Sequence, residues 1–200
     1  MEPVTKGERT RARLLEAAVR RFASDGYRAA SVSAIAREIG VTPAAAYAYF
    51  EGKEELFAAA VDLDAASLIE EAERAVTEAP GPRERLLGMV VHLMAGLDRH
   101  PLARRVLAGQ EPDITGRLLG LPALQALRGT AAEDLRGGQA AGTVRQDFAP
   151  EVMALGIETV VLAILMAQIQ IAGQAPDADA RAQAVFELLD TALRPPPLQD

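Results

Sequence analysis

The sequence predicts an all-α protein of about nine helices, in which a small N-terminal three-helix domain precedes a larger helical domain. Apolar residues recur at helical rather than alternating spacing. Alanine and leucine are abundant, whereas only 4% of the 200 residues are aromatic. Proline or glycine separates the periodic stretches. We place the two domains at residues 1–53 and 54–194, with residues 195–200 as a disordered tail.

The first predicted helix covers residues 5–24. Leu15, Val19 and Phe22 lie on one apolar stripe at helical spacing. Gly26 follows the stripe, and glycine readily adopts the left-handed conformation that terminates helices. We therefore end the helix at the Asp-Gly pair.

Two short helices joined by a glycine turn follow. Ile35 and Ile39 are apolar at helical spacing, and Gly40 stands where the first of the two helices must end. Thr42 then supplies a capping hydroxyl, and Pro43 has a backbone angle already suited to a first helical turn. This order predicts a helix-turn-helix, a motif whose second helix enters the DNA major groove.

The fourth predicted helix runs from residue 53 to about residue 75, which gives a rod of roughly 30–35 Å. Prolines and glycines mark the later boundaries, at residues 79–82, 100–101, 142 and 195–197. The remaining helices are placed at residues 82–99, 102–109, 122–141, 150–172 and 177–193. Residues 110–121 are predicted to be a loop or a broken helix.

The eighth helix is apolar on nearly every side. It is long enough to span a bilayer, but Glu158 and Gln170 lie inside it, and no flanking basic cluster accompanies it. We therefore predict no membrane partner and expect a second copy of the chain to cover the helix, with the ninth helix completing a four-helix interface. The predicted interface residues are Ile157, Val161, Ile164, Gln168, Val185, Phe186, Leu189 and Leu193.

Composition limits the chemistry further. The chain has no cysteine and two histidines, which argues against a thiolate or histidine-rich metal site. No nucleophile, base and orienting acid cluster along the sequence, so we predict no catalytic residues, no metal and no cofactor. The N-terminus carries no basic-then-apolar signal segment, and we expect a cytoplasmic protein.

Charge is distributed unevenly along the chain. The net charge is −7, yet residues 1–53 carry nine basic and six acidic residues, whereas residues 54–200 carry twelve basic and 22 acidic ones. The basic excess lies with the predicted helix-turn-helix, as binding to phosphates requires.

Residues 9–61 resemble the N-terminal domain of the TetR family of bacterial transcriptional repressors. The matching residues are Arg13, Ala17, Ala18, Phe22, Gly26, Tyr27, Ser31, Val32, Ile35, Ala36, Gly40, Val41, residues 47–50 and residues 53–56. A weaker similarity lies at residues 138–147, which resemble the turn between helices seven and eight of many members. The resemblance implies an all-α homodimer with a small-molecule pocket in each C-terminal domain and release from DNA when that pocket fills.

The candidate DNA-binding residues surround the predicted motif. They are Ser31, Ser33, Arg37, Thr42, Pro43, Ala44, Ala45, Tyr47, Tyr49 and Lys53. Tyr47 can contact phosphate or a thymine methyl, or else pack between helices. Lys53 begins the fourth helix, where its ammonium and the free amides can meet one phosphate, although it can also be a solvated lysine. Ala44 cannot bond to a base edge, so specificity is expected to depend on neighbouring hydroxyls and on DNA shape.

The candidate ligand-binding residues are mostly apolar and come from helices five to eight. They are Met89, His92, Leu93, Met94, Leu97, Leu107, Leu124, Leu127, Glu158 and Leu162. Glu158 is the main polar candidate, because a carboxylate inside an apolar helix needs a partner. That partner can be a cationic ligand, an arginine such as Arg104 or Arg128, or the other subunit.

These observations lead to a functional hypothesis. The chain is predicted to be a homodimeric repressor that binds a palindromic operator in double-stranded DNA and is released by an unknown small-molecule effector. One alternative is a DNA-binding dimer that needs no effector, which a filled C-terminal core would favour. A more remote alternative is an enzyme on an all-α scaffold.

Overall fold

The structure of the chain is a computed structural model that describes residues 5–111, 120–171 and 178–196. These residues form α-helices, with a 3₁₀ turn at Leu97–Arg99, and no strand occurs among them. The all-α class and the N-terminal helix-turn-helix are therefore confirmed. The helices are α1 (Lys6–Ala29), α2 (Val32–Glu38), α3 (Pro43–Tyr47), α4 (Lys53–Ala75), α5 (Pro82–Gly96), α6 (Pro101–Leu107), α7 (Pro122–Ala140), α8 (Pro150–Ile171) and α9 (Ala178–Leu193).

The largest departure from the predicted boundaries is in α1. The helix continues to Ala29 instead of ending at residue 24, but Gly26 interrupts it with φ 77° and ψ 167°. The glycine therefore breaks the helical geometry as predicted, and the chain then makes one more turn. Most of the predicted loop or broken helix, residues 112–119, and the end of the predicted tail, residues 197–200, lie outside the described residues.

The helices pack into two compact units. The first contains residues up to 67 together with residues 98–121, and the second contains residues 68–97 together with residues from 122 onward. The described packing thus groups α6 with the first three helices. The predicted domain limits at residues 53 and 194 stay predictions.

An aromatic cluster fills the first unit. Phe22 and Phe57 are fully buried, and their rings meet edge-on with centroids 4.8 Å apart. The Tyr27 ring meets Phe57 in the same way at 5.1 Å. Burial of one such ring contributes about 2–3 kcal/mol, and edge-to-face pairs add about 0.5–1.5 kcal/mol.

The core of the second unit lies between α5, α7, α8 and α9. Leu86, Leu135 and Leu189 are among its buried residues. Gly138 on α7 is needed for close packing, because a Cβ there would collide with Cγ2 of Val144. This contact accounts for a glycine at the start of the segment that resembles the turn between helices seven and eight.

The residues predicted for the dimer interface differ in their burial within the subunit, and their contact with a second copy stays a prediction. Leu189 and Leu193 belong to the core of the subunit itself, and Val161 is also buried. Ile157, Val185 and Phe186 pack against that core, whereas Ile164 and Gln168 are half-buried. Three other apolar side chains on α8 and α9 are exposed. Val152, Leu155 and Leu188 are 60%, 52% and 67% exposed. Because α8 is apolar on nearly every side, the sequence pattern could not distinguish its inner face from its outer one.

By length and composition, the segment Pro150–Gln170 of α8 could cross a membrane. Only 22% of its most apolar window is buried within the subunit. This leaves an apolar helix with a large outward face.

Candidate nucleic-acid interface

The turn between α2 and α3 has the geometry that the sequence pattern predicts. Ser31 caps α2, and its hydroxyl accepts a hydrogen bond from the backbone N–H of Ala34 at 3.1 Å. Gly40 adopts a left-handed φ of 75°. The next residue, Val41, donates its N–H to the carbonyl of Ala36 at 3.0 Å, which satisfies a carbonyl at the end of α2.

The short helix α3 has one inner and one outer face. The Thr42 hydroxyl accepts from the N–H of Ala45 at 3.2 Å, and Pro43 occupies the first turn. Ala46 is fully buried, whereas the Tyr47 side chain is 51% exposed. The helix therefore presents a phenol hydroxyl and the methyl group of the exposed Ala44 to its surroundings.

Side chains from α1 hold this motif in place. The Arg13 guanidinium donates to the carbonyl of Ile39 at 2.8 Å, next to the turn. Phe50 is buried, as the sequence pattern predicts for a core residue, and the guanidinium of Arg11 lies 5.1 Å from the centre of its ring. The turn that orients α3 is thus fixed to α1 by a specific hydrogen bond.

Lys53, the first residue of α4, has two partners that sequence reasoning did not identify. Its Nζ donates to the carbonyl of Arg28 at 3.0 Å and lies 4.7 Å from the centre of the Tyr27 ring. The side chain is half-buried and is not simply solvated. No sequence signal pairs residue 53 with residues 27 and 28, because the pairing depends on the break of α1 at Gly26.

The structure brings the predicted DNA-binding residues into one unit, in or next to α2, α3 and the start of α4. Their exposure varies. Ser31, Arg37, Thr42, Ala44 and Tyr47 are exposed, whereas Ser33, Pro43, Ala45, Tyr49 and Lys53 are half-buried. Contact between these residues and DNA stays a prediction.

Glu158 is buried within α8, and its partner is one of the predicted arginines. Oε2 of Glu158 accepts from Nη1 of Arg128 on α7 at 2.8 Å. Oε1 is also buried and accepts no hydrogen bond from the residues that the structure describes. The ion pair supplies the compensation that a buried carboxylate requires.

A cavity of about 480 Å³ lies in the second unit among α5, α8 and α9. Its lining is Val90, Val91, Met94, Ala95, Leu97, Ile164, Leu165, Gln168, Gln183, Phe186 and Leu189. The lining contains amide groups but no charged side chain, which suits a largely apolar ligand.

Of the predicted ligand-binding residues, Met94 and Leu97 line this cavity and the others do not. His92 is exposed, Met89 and Leu93 are buried in packing, and Leu107 belongs to the first unit. Leu124, Leu127 and Leu162 are half-buried elsewhere in the second unit. Four residues predicted for the dimer interface also line the cavity, namely Ile164, Gln168, Phe186 and Leu189. The apolar pattern of α5 is too continuous for the sequence to indicate which side faces an open space.

A metal site would need several ligating side chains close together. Within the described ranges, no group of three or more His, Asp or Glu side chains could hold a metal ion.

Comparison with known proteins gives consistent results. Residues 14–60 match the model of the family described as bacterial regulatory proteins, tetR family. An HTH-type transcriptional regulator BetI of Rhizobium meliloti is 38% identical over 90 residues, which are 45% of this chain and 42% of that protein. BetI of Brucella suis biovar 1 is 33% identical over 90 residues, with 43% of that protein covered. The chain therefore spans less than half the length of the curated relatives it matches.

Solved structures share the fold over nearly the whole chain. One, described as the molecular basis for control of antibiotic production by bacterial hormones, is 27% identical, with a TM-score of 0.68 and 93% of this chain and 98% of that chain covered. The transcriptional regulator FadR of Bacillus subtilis, solved with stearoyl-CoA, is 20% identical, with a TM-score of 0.69 and 92% and 99% coverage. The capped helix-turn-helix lies within the residues that match the family model, so the N-terminal segment of the chain is similar to the DNA-binding domain of bacterial regulatory proteins of the tetR family.

Proposed function

We propose that the chain is a cytoplasmic transcriptional regulator that binds double-stranded DNA as a homodimer and has no catalytic activity of its own. The proposal is supported by the geometry of α3, which has one anchored inner face and one exposed outer face. Thr42 caps it, Ala46 anchors its inner face, and Tyr47 projects outward. This arrangement supports insertion of α3 into a major groove, with base and phosphate contacts made by its outer face.

The charge distribution supports the same function. The excess of basic residues lies within residues 1–53, and the rest of the chain is acidic. The positive segment is attracted to phosphates, whereas the acidic remainder is repelled from them. This favours approach to DNA by the helix-turn-helix rather than by any other part of the chain.

The homodimer is proposed on the exposed face of α8 and α9. Val152, Leu155, Thr159 and Ala163 are exposed and recur at helical spacing along α8, and Leu188 is exposed on α9. A second copy would cover this apolar face. Two-fold pairing then provides two α3 helices, which are expected to read half-sites about 34–36 Å apart in a palindromic operator.

Control by a small molecule is proposed from the cavity in the second unit. Its volume of about 480 Å³ falls in the range of about 300–1,000 Å³ that is typical of ligand sites. This open space supports an effector-responsive regulator over a DNA-binding dimer that needs no effector. An effector would release DNA only to the extent that it binds the DNA-free arrangement more tightly than the DNA-bound one.

Selection from a library of random DNA duplexes tests the DNA-binding part of the proposal. We expect enrichment of an inverted repeat whose half-site centres are about 10 base pairs, or a multiple of that, apart. A Tyr47→Ala variant should fold normally and bind the enriched repeat more weakly, because the exposed ring is not part of the core. Recovery of no common sequence would reject the proposal.

Effector control is tested on the enriched duplex with a panel of neutral, largely apolar compounds. Compounds that raise the melting temperature of the protein should weaken its binding to DNA. An Ala95→Phe variant, which places a ring in the cavity, should lose both responses. If stabilising compounds leave DNA affinity unchanged, the effector-independent alternative is the correct one.

A further inference from the structure

A buried carboxylate near the end of α6 contacts the break in α1. Glu111 is only 6% exposed, and its Oε1 accepts from the backbone N–H of Tyr27 at 3.1 Å. The same oxygen accepts from Nε of Arg105 at 2.7 Å. These contacts lie within the first unit and join residues that are 84 positions apart in sequence.

Gly26 makes this contact possible in two ways. Its positive φ interrupts α1 and leaves the next N–H, that of Tyr27, to bond outside the helix. Its lack of a side chain leaves room for the Arg105 guanidinium, because a Cβ at Gly26 would collide with Nη2 of that arginine. The break in α1 thus makes room for the Arg105–Glu111 pair and supplies the Tyr27 N–H as a donor to Glu111.

Tyr27 also contacts Lys53 through its ring. The Lys53 ammonium lies 4.7 Å from the centre of the Tyr27 ring and donates to the neighbouring carbonyl of Arg28 at 3.0 Å. Both contacts orient the ammonium, the first through the charge on the ring face. A change in the backbone at Tyr27 therefore moves both groups that hold Lys53.

We propose that Glu111 is a positioning residue for DNA binding, because it fixes Tyr27 and thereby sets the place of the Lys53 ammonium at the start of α4. The inference rests on the proposed DNA-binding function and adds a regulatory position to it. A rearrangement that draws Glu111 away from Tyr27 would weaken the contact of Lys53 with phosphate without altering α3. Affinity for DNA would then fall equally for all sequences.

The first experiment needs no DNA. The chain contains two lysines, Lys6 and Lys53, so ¹³C-lysine labelling gives two sets of side-chain NMR signals. We expect the Lys53 signals to be displaced upfield by the Tyr27 ring. Glu111→Ala, which removes the acceptor of the Tyr27 N–H, should move them toward the Lys6 position, whereas Tyr27→Phe, which keeps the ring, should not. Unmoved Lys53 signals in Glu111→Ala would overturn the inference.

Asp98→Ala is the matched control. It removes the same charge from a pair that joins the 3₁₀ turn to α6, since Asp98 accepts from Arg104 at 3.0 Å, but the Asp98 side chain is 89% exposed. This variant should leave the Lys53 signals and DNA affinity unchanged. Thermal unfolding of both variants confirms that the comparison is between folded proteins.

The second experiment is a double-mutant cycle on a duplex that the wild-type protein binds. Glu111→Ala should weaken binding about three- to tenfold, the effect expected for one lost hydrogen bond, and should lower the slope of log affinity against log salt. In a Lys53→Ala background the same substitution should have almost no effect. A full effect in that background would show that Glu111 acts by another route and would overturn the inference.

The two experiments separate the inference from the function on which it rests. If the wild-type protein binds no duplex while the Lys53 signals still respond to Glu111→Ala, the proposed function is rejected and the linkage is supported. If the wild-type protein binds DNA while its affinity and the Lys53 signals do not respond to Glu111→Ala, the linkage alone is rejected.

Discussion

Asp64 on α4 lies 3.2 Å from Nδ1 of His100, and both side chains are buried. The other oxygen of the same carboxylate accepts from the backbone N–H groups of Leu102 and Ala103 at 2.9 and 2.8 Å. These amides begin α6, for which His100, the residue at the cap position, provides no side-chain hydrogen bond. A residue 38 positions earlier in the chain therefore caps this helix.

This cap predicts a specific loss of stability. Asp64→Ala leaves two buried N–H groups without an acceptor and should lower the free energy of unfolding by about 1–3 kcal/mol. Asp64→Asn keeps one acceptor and should lose less. Urea unfolding measures both, and Glu70→Ala, on the exposed side of α4, should change stability by less than about 0.5 kcal/mol. Equal stability of the Asp64→Ala and Glu70→Ala variants would contradict the capping role.

Lys53 and Lys6 give a matched pair for DNA binding. Lys53→Ala should weaken binding to specific and non-specific duplexes by similar factors. It should also lower the salt slope by roughly one for each phosphate that the protein no longer binds, with two such phosphates in a dimer complex. Lys6→Ala removes the same charge from an exposed position and should have a smaller effect. Fluorescence anisotropy at several salt concentrations distinguishes them. Weakening confined to specific duplexes would show that Lys53 contacts bases instead.

The features that could be predicted from sequence are those in which neighbouring residues determine the geometry. Ser31, Gly40 and Thr42 act within one or two helical turns, and each adopts the predicted cap or left-handed conformation. The family match on residues 14–60 covers the same local pattern. Local capping and turn preferences were thus sufficient for the helix-turn-helix.

Contacts between distant segments could not be predicted in this way. The pairing of Lys53 with Tyr27 and the capping of α6 by Asp64 depend on tertiary packing, for which the sequence offers no spacing rule. Glu158 shows an intermediate case, because its need for a partner was evident while the choice of Arg128 over the other candidates required the structure. In uniformly apolar helices such as α8, the sequence pattern does not indicate which face lies outward.

The outward face of α8 and α9 is expected to hold the dimer together. Leu155→Glu and Leu188→Glu place charges on exposed positions, so each subunit should stay folded. Because each substitution occurs twice in a two-fold interface, the dimer dissociation constant should rise by at least roughly 100-fold. Sedimentation velocity and circular dichroism report assembly and folding separately.

Leu63→Glu is the control for this face. Leu63 is 38% exposed but lies on α4 in the first unit. The substitution should leave the dimer intact. A dimer that persists in both the Leu155→Glu and the Leu188→Glu variants would show that another surface joins the subunits.

Two Arg–Asp pairs in the second unit are expected to respond to pH in opposite directions. Burial tends to raise the pKa of Asp190, but hydrogen bonds from Arg83 and Arg194 outweigh it and hold the pKa below its ordinary value of 3.8. Burial raises the pKa of Asp134 above 3.8 despite its hydrogen bond from Arg85 at 2.6 Å. As the pH rises through the ordinary pKa of an aspartate, the Asp190 carboxylate therefore adds to the stability of the fold, whereas the Asp134 carboxylate reduces it.

A lowered pKa stabilises the fold above pH 3.8, and this contribution disappears as the pH falls through the folded-state value. The destabilisation caused by Asp190→Asn should therefore be largest near pH 7 and shrink below about pH 4. A raised pKa acts in the opposite sense, so Asp134→Asn should gain stability relative to the wild-type protein as the pH rises above 3.8. Urea unfolding from pH 3 to pH 7 measures both. If the stability of the two variants relative to the wild-type protein changed in the same direction with pH, the assigned balance between burial and hydrogen bonding would be contradicted.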